Sequence, residues 1–228
     1  MIFRSINMIS IIIPTKNEAN VIHETIRNLQ DLRKNKICEI IIVDGKSDDE
    51  TVRLANPYVD QVLTSEPNRG LQQNMGAKAA SGDTLMFLHA DTHIDINHIE
   101  FLINIKDYDW GFFKISFDKT SLKYKLLSFC INLRSLLFKY GTGDQVFFIK
   151  KNIFDSIDGF PKFELMEDIK LCSKLKKVSK PLISKIYIKT SARKWEKNGF
   201  LWTIIKMRIL RFLYFLKVSP SKLNSYYK

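Results

Sequence analysis

Acidic residues recur in this chain where short apolar runs end or helices begin, which is where a carboxylate can be held at the rim of a cleft. Asp91 closes the run TLMFLHADT at residues 84–92, and a carboxylate there can hold a hard divalent cation such as Mn2+ or Mg2+, which prefers oxygen ligands. His89 stands two positions earlier. Its imidazole would serve either as a further metal ligand or as a hydrogen-bonding partner of a nucleotide or a neighbouring carboxylate. The other acidic signals are PTKNE at 14–18, VDGKSDDE at 43–50 and MEDIKL at 166–171. In the last of these Glu167 and Asp168 open a helix, where acids suit the N-terminal dipole and where a positioned carboxylate can also take a proton.

The elements that must position these groups follow from hydrophobic periodicity. Apolar runs at 9–13, 39–43, 61–64 and 84–88 alternate with stretches of helical composition. Alternation of that kind predicts right-handed crossovers and a mainly parallel sheet with helices on both faces. Ligands of such sheets gather at the carboxyl ends of the strands, so PTKNE, DGKSDDE and HADT are expected to face one crevice. Further along, strands are expected at 110–117, 145–150 and 182–189, and helices at 122–139, 167–177 and 200–216. The chain reads as one domain over 1–228, with a first half to about 95, a second half to about 198, and a helical tail.

Taken together, these motifs resemble the family 2 glycosyltransferases of the GT-A fold. Within that family GDQVFFIKKNIFDSIDGFP, ELMEDIKL and TSARKWE are similar to a subgroup of small bacterial transferases linked to carotenoid-type or arsenosugar glycosylation. The resemblance implies a Rossmann-like sheet, a nucleotide-sugar donor (a UDP-sugar favoured), and single displacement with inversion at the anomeric carbon. It also implies site roles. Pro14, Thr15 and Glu18 would meet the base and ribose, Asp44 would recognise the base, and Asp91 would carry the metal at the second acid of an Asp-x-Asp signature whose first position is His89 here. Asp168 would be the catalytic base, with Glu167 orienting it or binding acceptor hydroxyls. Arg193 and Trp195 match an Arg-Trp element placed near diphosphate and acceptor.

Other roles come from residue chemistry, each beside a plainer reading. Arg69, in PNRGLQQNMGAKAASGD, could pair with phosphate or simply open a helix at the surface. Asp144 and Gln145, in the flexible turn GTGDQ, could hydrogen-bond sugar hydroxyls. Trp110 would either line the acceptor side or belong to the core.

With 36 Lys and Arg against 24 Asp and Glu, the net charge is +12, which favours phosphates or anionic lipid. No zinc finger, paired aromatic strands or basic recognition helix points to nucleic acid. Cys38, Cys130 and Cys172 are few, odd in number and widely spaced, so a reducing cytoplasm is expected and neither a disulfide framework nor a zinc knuckle. The apolar start, MIFRSINMISIIIP, reads as a first buried strand rather than a span of ~20 apolar residues. At 200–216, Leu201, Trp202, Ile205, Ile209, Phe212, Leu213 and Leu216 share one arc, expected to pack on the domain. Lys206, Arg208 and Arg211 share the other with further apolar residues, a pattern of helices lying in a lipid interface or of an ordinary solvated face. A nucleotidyltransferase would use a similar sheet, but its phosphate loop is Gly-rich and PTKNE has no glycine. A sugar-nucleotide binding module without turnover is the remaining alternative.

Overall fold

The computed structural model describes residues 8–105, 107–197 and 199–227, so residues 1–7 of the expected N-terminal strand lie outside the described residues. In chain order the elements are β1 (Ile9–Thr15), α1 (Ala19–Arg27), α2 (Gln30–Lys34), β2 (Cys38–Asp44), α3 (Thr51–Ala55), β3 (Gln61–Thr64), α4 (Arg69–Ala79), β4 (Thr84–Phe87), β5 (Thr92–His93) and α5 (Ile96–Asn104). There follow β6 (Trp110–Phe117), α6 (Leu122–Phe138), β7 (Phe147–Lys150), α7 (Lys151–Ser156), α8 (Glu167–Leu175), β8 (Leu182–Thr190), α9 (Arg193–Lys197), α10 (Phe200–Phe215) and α11 (Pro220–Tyr227).

The strands form one sheet in the order β3-β2-β1-β4-β7-β6-β8-β5. The first four are parallel, β7 is antiparallel to both β4 and β6, and β8 runs parallel to β6. The uninterrupted apolar runs of the central strands are explained by burial on both faces. Ile11 and Ile13 of β1, with Ile40 and Ile42 of β2, meet α1, α2 and α5 on one side. Ile12, Ile41 and Val43 meet α4, α7 and α8 on the other. Gly76 lets α4 lie directly on β1, since a Cβ there would stand 2.4 Å from the Ile12 side chain. Asn74 then ties α4 to the 159–161 loop, its Nδ2 donating to the Phe160 carbonyl and its Oδ1 accepting from the Phe160 N–H, both at 2.9 Å.

Strand direction decides what reaches the cleft. The carboxyl ends of β1 and β2 lie side by side, Thr15 opposite Asp44. Because β7 runs against β4, it starts at that same edge, with Phe147 opposite Phe87. Turn residues 142–145 therefore belong to the cleft edge, and Gln145 sits in a short 3-10 turn rather than in the expected strand. β6 runs against β7, so Trp110, opposite Ile149, enters the sheet at the far edge. Its indole is fully buried between β6 and α8, with Nε1 donating to the Ser179 carbonyl at 3.0 Å. Trp110 is therefore a core residue, and the acceptor-lining alternative is corrected.

The tail reverses one expectation. Of the arc 201–216, only Leu213 turns inward; Leu201, Trp202, Ile205, Ile209, Phe212 and Leu216 are exposed. The face that packs carries Thr203, Met207, Leu210 and Tyr214, through which α10 meets Met166 and Ile169 of α8 and Leu223 of α11. Lys206 extends its ammonium to the Tyr227 carbonyl at 2.8 Å. The mixed face is the one that fits, because long cationic stems can lie along apolar surface while their heads reach carbonyls or the cleft.

Candidate active site

At the carboxyl edge of the sheet six segments converge on a cleft of about 260 Å³. The loop after β1 brings Pro14 and Glu18, and the start of α4 brings Arg69. The stretch after β4 brings His89 and Asp91. Turn 142–145 brings Asp144, the start of α8 brings Glu167 and Asp168, and α9 brings Arg193. A larger open depression of about 880 Å³, bordered by Glu24, Asp31, His93, His98 and Tyr187, contains none of these groups.

Arg193 is fixed by acids on both sides. Its Nη2 donates to Glu18 Oε2 at 3.0 Å and stands 4.0 Å from Asp91 Oδ2. The guanidinium thus hangs over the carboxylate expected to carry metal, where a diphosphate would arrive. Arg69 faces it from α4 and lies 3.6 Å from Glu167 Oε1. Asn68 caps that helix, accepting from the Leu71 N–H at 3.0 Å.

His89 lies beside the turn that carries Asp144. Its Nδ1 lies 3.3 Å from Asp144 Oδ1, and its buried Nε2 finds no hydrogen-bond partner among the described residues. The ring lies against Gly143, where a Cβ would come within 2.7 Å of Nε2. Gly143 is needed there because no side chain fits between the turn and the ring. That turn is held from beneath by Gln145, which is fully buried. Its Oε1 accepts from the Thr142 N–H at 3.1 Å and the Ser135 hydroxyl at 3.0 Å, while Nε2 donates to the Phe113 carbonyl at 3.2 Å. Gln145 is thus a positioning residue of the turn, and the expectation that it meets acceptor is corrected.

The α8 start carries two carboxylates in different surroundings. Asp168 is half-buried; its Oδ2 accepts from the Gly143 N–H at 3.4 Å and its Oδ1 from the Ile169 N–H at 2.7 Å. Glu167 is buried, and that burial, followed by the charge of Asp168, pushes its carboxyl above the usual carboxylate range against the opposing pull of Arg69. Two carboxyls whose surroundings differ in this way suit different tasks, with Asp168 the more open to a substrate proton.

The raised Glu167 value has a consequence for stability. The folded state keeps this proton after the unfolded chain has lost it, so the contribution is complete below the ordinary Glu pKa and is lost as pH rises through the raised folded value. Glu167→Gln keeps the neutral shape at every pH. Its melting temperature should match the wild type's near about pH 4 and exceed it increasingly towards about pH 8. Melting curves of the two proteins that stay parallel across this range would show that Arg69 keeps Glu167 ionised.

Not every expected residue enters the cleft. Thr15 and Asp44 are buried behind it and bound to one another, the Thr15 hydroxyl donating to Asp44 Oδ1 at 3.0 Å. Asp44 also accepts from the Ser47 hydroxyl at 2.6 Å and the Ser47 N–H at 2.7 Å. Trp195 turns away, its ring 6.1 Å from that of Phe117 and 6.2 Å from that of Phe200 in the cluster joining β6, α6 and α10. Met207, Arg211 and Tyr227 do line the cleft, from α10 and α11. The sequence held a signal for Arg211, its place on the face opposite the exposed arc, but nothing local indicated that this face covers the site.

No preassembled cluster of three or more His, Cys, Asp or Glu suited to a metal occurs among the described residues. The donor chemistry still fits a hard cation that takes one or two carboxylates and completes its shell with substrate phosphates. Asp91 is half-exposed on the cleft wall and available for that.

Residues 10–159 match the model of the family described as glycosyl transferase family 2. Among related sequences, poly(ribitol-phosphate) beta-N-acetylglucosaminyltransferase TarS of Staphylococcus aureus strain Mu50 is 30% identical over 95 residues, covering 38% of this chain and 16% of TarS. The probable glycosyltransferase YdaM of Bacillus subtilis strain 168 is 24% identical over 226 residues, 86% of this chain and 52% of YdaM. The chain thus spans about half or less of the length of these relatives. Among solved structures, S. aureus TarS 1-349 in complex with UDP-GlcNAc superposes with a TM-score of 0.62 at 19% identity, over 80% of this chain and 58% of that one. The mannosyltransferase PcManGT from Pyrobaculum calidifontis, in complex with GDP-Man and Mn2+, gives 0.61 at 20% identity, over 79% and 56%. These likenesses establish the fold.

Proposed function

We propose that this chain, which belongs to glycosyl transferase family 2, moves a sugar from a nucleotide-sugar donor to an acceptor hydroxyl with inversion. The observation that carries this reading is the convergence of Asp91, Asp168, Glu167, Arg69 and Arg193 on one cleft. The cations and carboxylates there have different tasks. Arg69 and Arg193 offer forks for a diphosphate, and Asp91 would hold a divalent cation of the Mn2+ or Mg2+ kind. Such an ion, when bound, would neutralise charge on the departing diphosphate.

Asp168 receives the proton of the acceptor hydroxyl while its oxygen forms the new bond to the anomeric carbon, from the face opposite the diphosphate. The bond to the diphosphate breaks and its electron pair leaves with the nucleotide. Glu167, holding its proton longer than an ordinary carboxyl, is suited to orient the acceptor by donating a hydrogen bond rather than to compete as base. Asp144, set by His89, stands beside this path as the acceptor-side contact. Pro14, Glu18, Thr15 and Asp44 provide the nucleoside side, Asp44 through the loop that it ties to β1.

We take a UDP-sugar as donor, by likeness to TarS, and a lipid-like acceptor of carotenoid type. The second choice is supported by α10, which lines the cleft with Met207 and Arg211 and exposes apolar side chains on its other side. An acceptor of that kind places the protein peripherally at the cytoplasmic face of a membrane. Thermal denaturation with UDP-, GDP- and dTDP-sugars, each with and without Mn2+, tests the donor reading. One nucleotide should raise the melting temperature, more so with metal, because a ligand of the native state stabilises it. No stabilisation by any of them would overturn it, and stabilisation without turnover across lipid and soluble acceptors would leave a binding module.

A further inference from the structure

The exposed apolar arc of α10 has a counterpart on α6. Leu122, Leu126, Phe129, Leu133 and Leu137 recur at helical spacing along α6 and are all exposed, Phe129 by 61% and Leu137 by 67%. They lie opposite Tyr124, Leu127 and Asn132, which pack on β6, where the Asn132 amide both accepts from the Ile115 N–H and donates to the Ile115 carbonyl at 2.9 Å. On α10 the exposed series is Leu201, Trp202, Ile205, Ile209 and Phe212, with Trp202 at 62% and Phe212 at 63%.

The two helices meet in one apolar cluster over β6, to which α6 brings Tyr124, Leu127 and Ile131 and α10 brings Phe200 and Ile204, with the Tyr124 and Phe200 ring centroids 5.4 Å apart near the start of each helix. Burial, with the like charge of Arg211 adding, lowers the Arg134 guanidinium to about 10. The two apolar series thus belong to helices that share a buried cluster on their inner faces and leave these side chains outside. Contiguous exposed apolar surface of this extent marks an interaction site.

Charge selects the occupant. The exposed cations of these two stretches are Lys123, Lys125 and Lys139 at residues 122–139 and Arg208 and Lys217 at residues 200–217, and neither stretch has an Asp or a Glu. A second copy would bring cations against cations. α11 cannot cover the face, since it packs on the inner side of α10 through Leu223 and Tyr227. No described helix is long and apolar enough to cross a membrane. Amphipathic helices with Trp, Phe and Leu on one face and Lys and Arg flanking it lie within a lipid interface.

We propose that the outer faces of α6 and α10 together form a docking surface for an anionic phospholipid bilayer, with Phe129, Trp202, Ile205 and Phe212 entering the acyl boundary. The surface deepens the peripheral placement proposed above and stands independently of sugar transfer. It also sets the cleft, whose wall includes the inner face of α10, against the membrane.

Flotation of the purified protein with phosphatidylcholine vesicles, with and without phosphatidylglycerol, tests this. Partition into the phosphatidylglycerol vesicles should be at least about tenfold stronger, since each cation near an anionic surface contributes about fivefold. Lipids brominated on the acyl chains should quench the fluorescence of Trp202, and Trp202→Phe should remove most of that quenching, because Trp110 is buried in the core and Trp195 is packed against Phe117 and Phe200. Phe129→Glu combined with Ile205→Glu, both at exposed positions, should lower partition at least about tenfold with the melting temperature retained. Equal partition of this double variant and the wild type, or no binding to either vesicle, would overturn the proposal. So would a wild-type dimer in solution that the same variant dissociates, since the face would then belong to a second copy. Nucleotide-sugar stabilisation measured on the same samples reports on the cleft separately, so failure of membrane docking and failure of the transferase reading are distinguishable.

Discussion

Asp168→Asn should abolish most sugar transfer while leaving the donor bound. Asn keeps the size of the side chain and one oxygen, which can go on accepting from the Ile169 N–H that bonds Asp168 Oδ1 at 2.7 Å, and gives up only the longer bond of 3.4 Å from the Gly143 N–H to Oδ2. It removes the proton acceptor. Loss of a general base costs on the order of 100-fold or more in turnover, so kcat should fall by that factor with little change in the stabilisation produced by the nucleotide-sugar. Steady-state rates and donor-induced melting shifts on one preparation would separate chemistry from binding. The wild-type product should carry an anomeric configuration inverted relative to the donor, read by NMR, because the base and the diphosphate act on opposite faces and no carboxylate is needed as nucleophile. Unchanged turnover by Asp168→Asn would transfer the role to Asp144, which shares the same wall of the cleft. A retained configuration would refute direct displacement.

Asp91→Ala should eliminate the metal-dependent part of donor binding and reduce turnover by at least about two orders of magnitude, as expected when a charge-stabilising group is lost from a phosphate site. The effect on folding should be small. Asp91 is half-exposed, and its nearest cation, Arg193 at 4.0 Å, has Glu18 as a closer partner at 3.0 Å. The melting temperature without ligand should therefore hold, while the increment due to Mn2+ in the presence of donor disappears in a thermal shift assay. Full activity in the variant, insensitive to chelator, would remove Asp91 from the mechanism and leave Arg69 and Arg193 as the stabilisers of the leaving diphosphate.

Much of this architecture can be read from local pattern. The runs 9–13, 39–43 and 84–88 are too apolar for half-exposed strands, and the alternation of Ile11 and Ile13 with Ile12 between the two layers shows why: both faces of the sheet are covered. Acidic and basic residues just beyond those runs, Glu18, Asp91 and Arg69, had to emerge at one edge once the strands were parallel. Asp168 was legible in the first turn of a helix expected from residue 167, and Arg193 through the likeness of TSARKWE to a known element. Similarity to known motifs added roles for them that composition alone does not carry.

Other properties depend on contacts between residues far apart in the chain. Trp110 and Trp195 have the composition of acceptor contacts, yet one enters the sheet at the edge away from the cleft and the other is captured by Phe117 and Phe200. Gln145 looks like a cleft amide, but Ser135 of α6 and Phe113 of β6 take up its hydrogen-bonding capacity below the turn. The placement of His89 beside Asp144 depends on Gly143 closing over the ring. The sequence by itself determined the layered sheet, the edge at which the charged groups gather and the amphipathic character of the tail, because hydrophobic period and the alternation of strand-like with helix-like stretches are local properties. Only the tertiary structure decided which face of that tail points inward. Both faces of α10 are rich in apolar residues, so periodicity could not rank them; packing against Met166 and Ile169 of α8 and Leu223 of α11 made the choice and left Trp202, Ile205 and Phe212 outside.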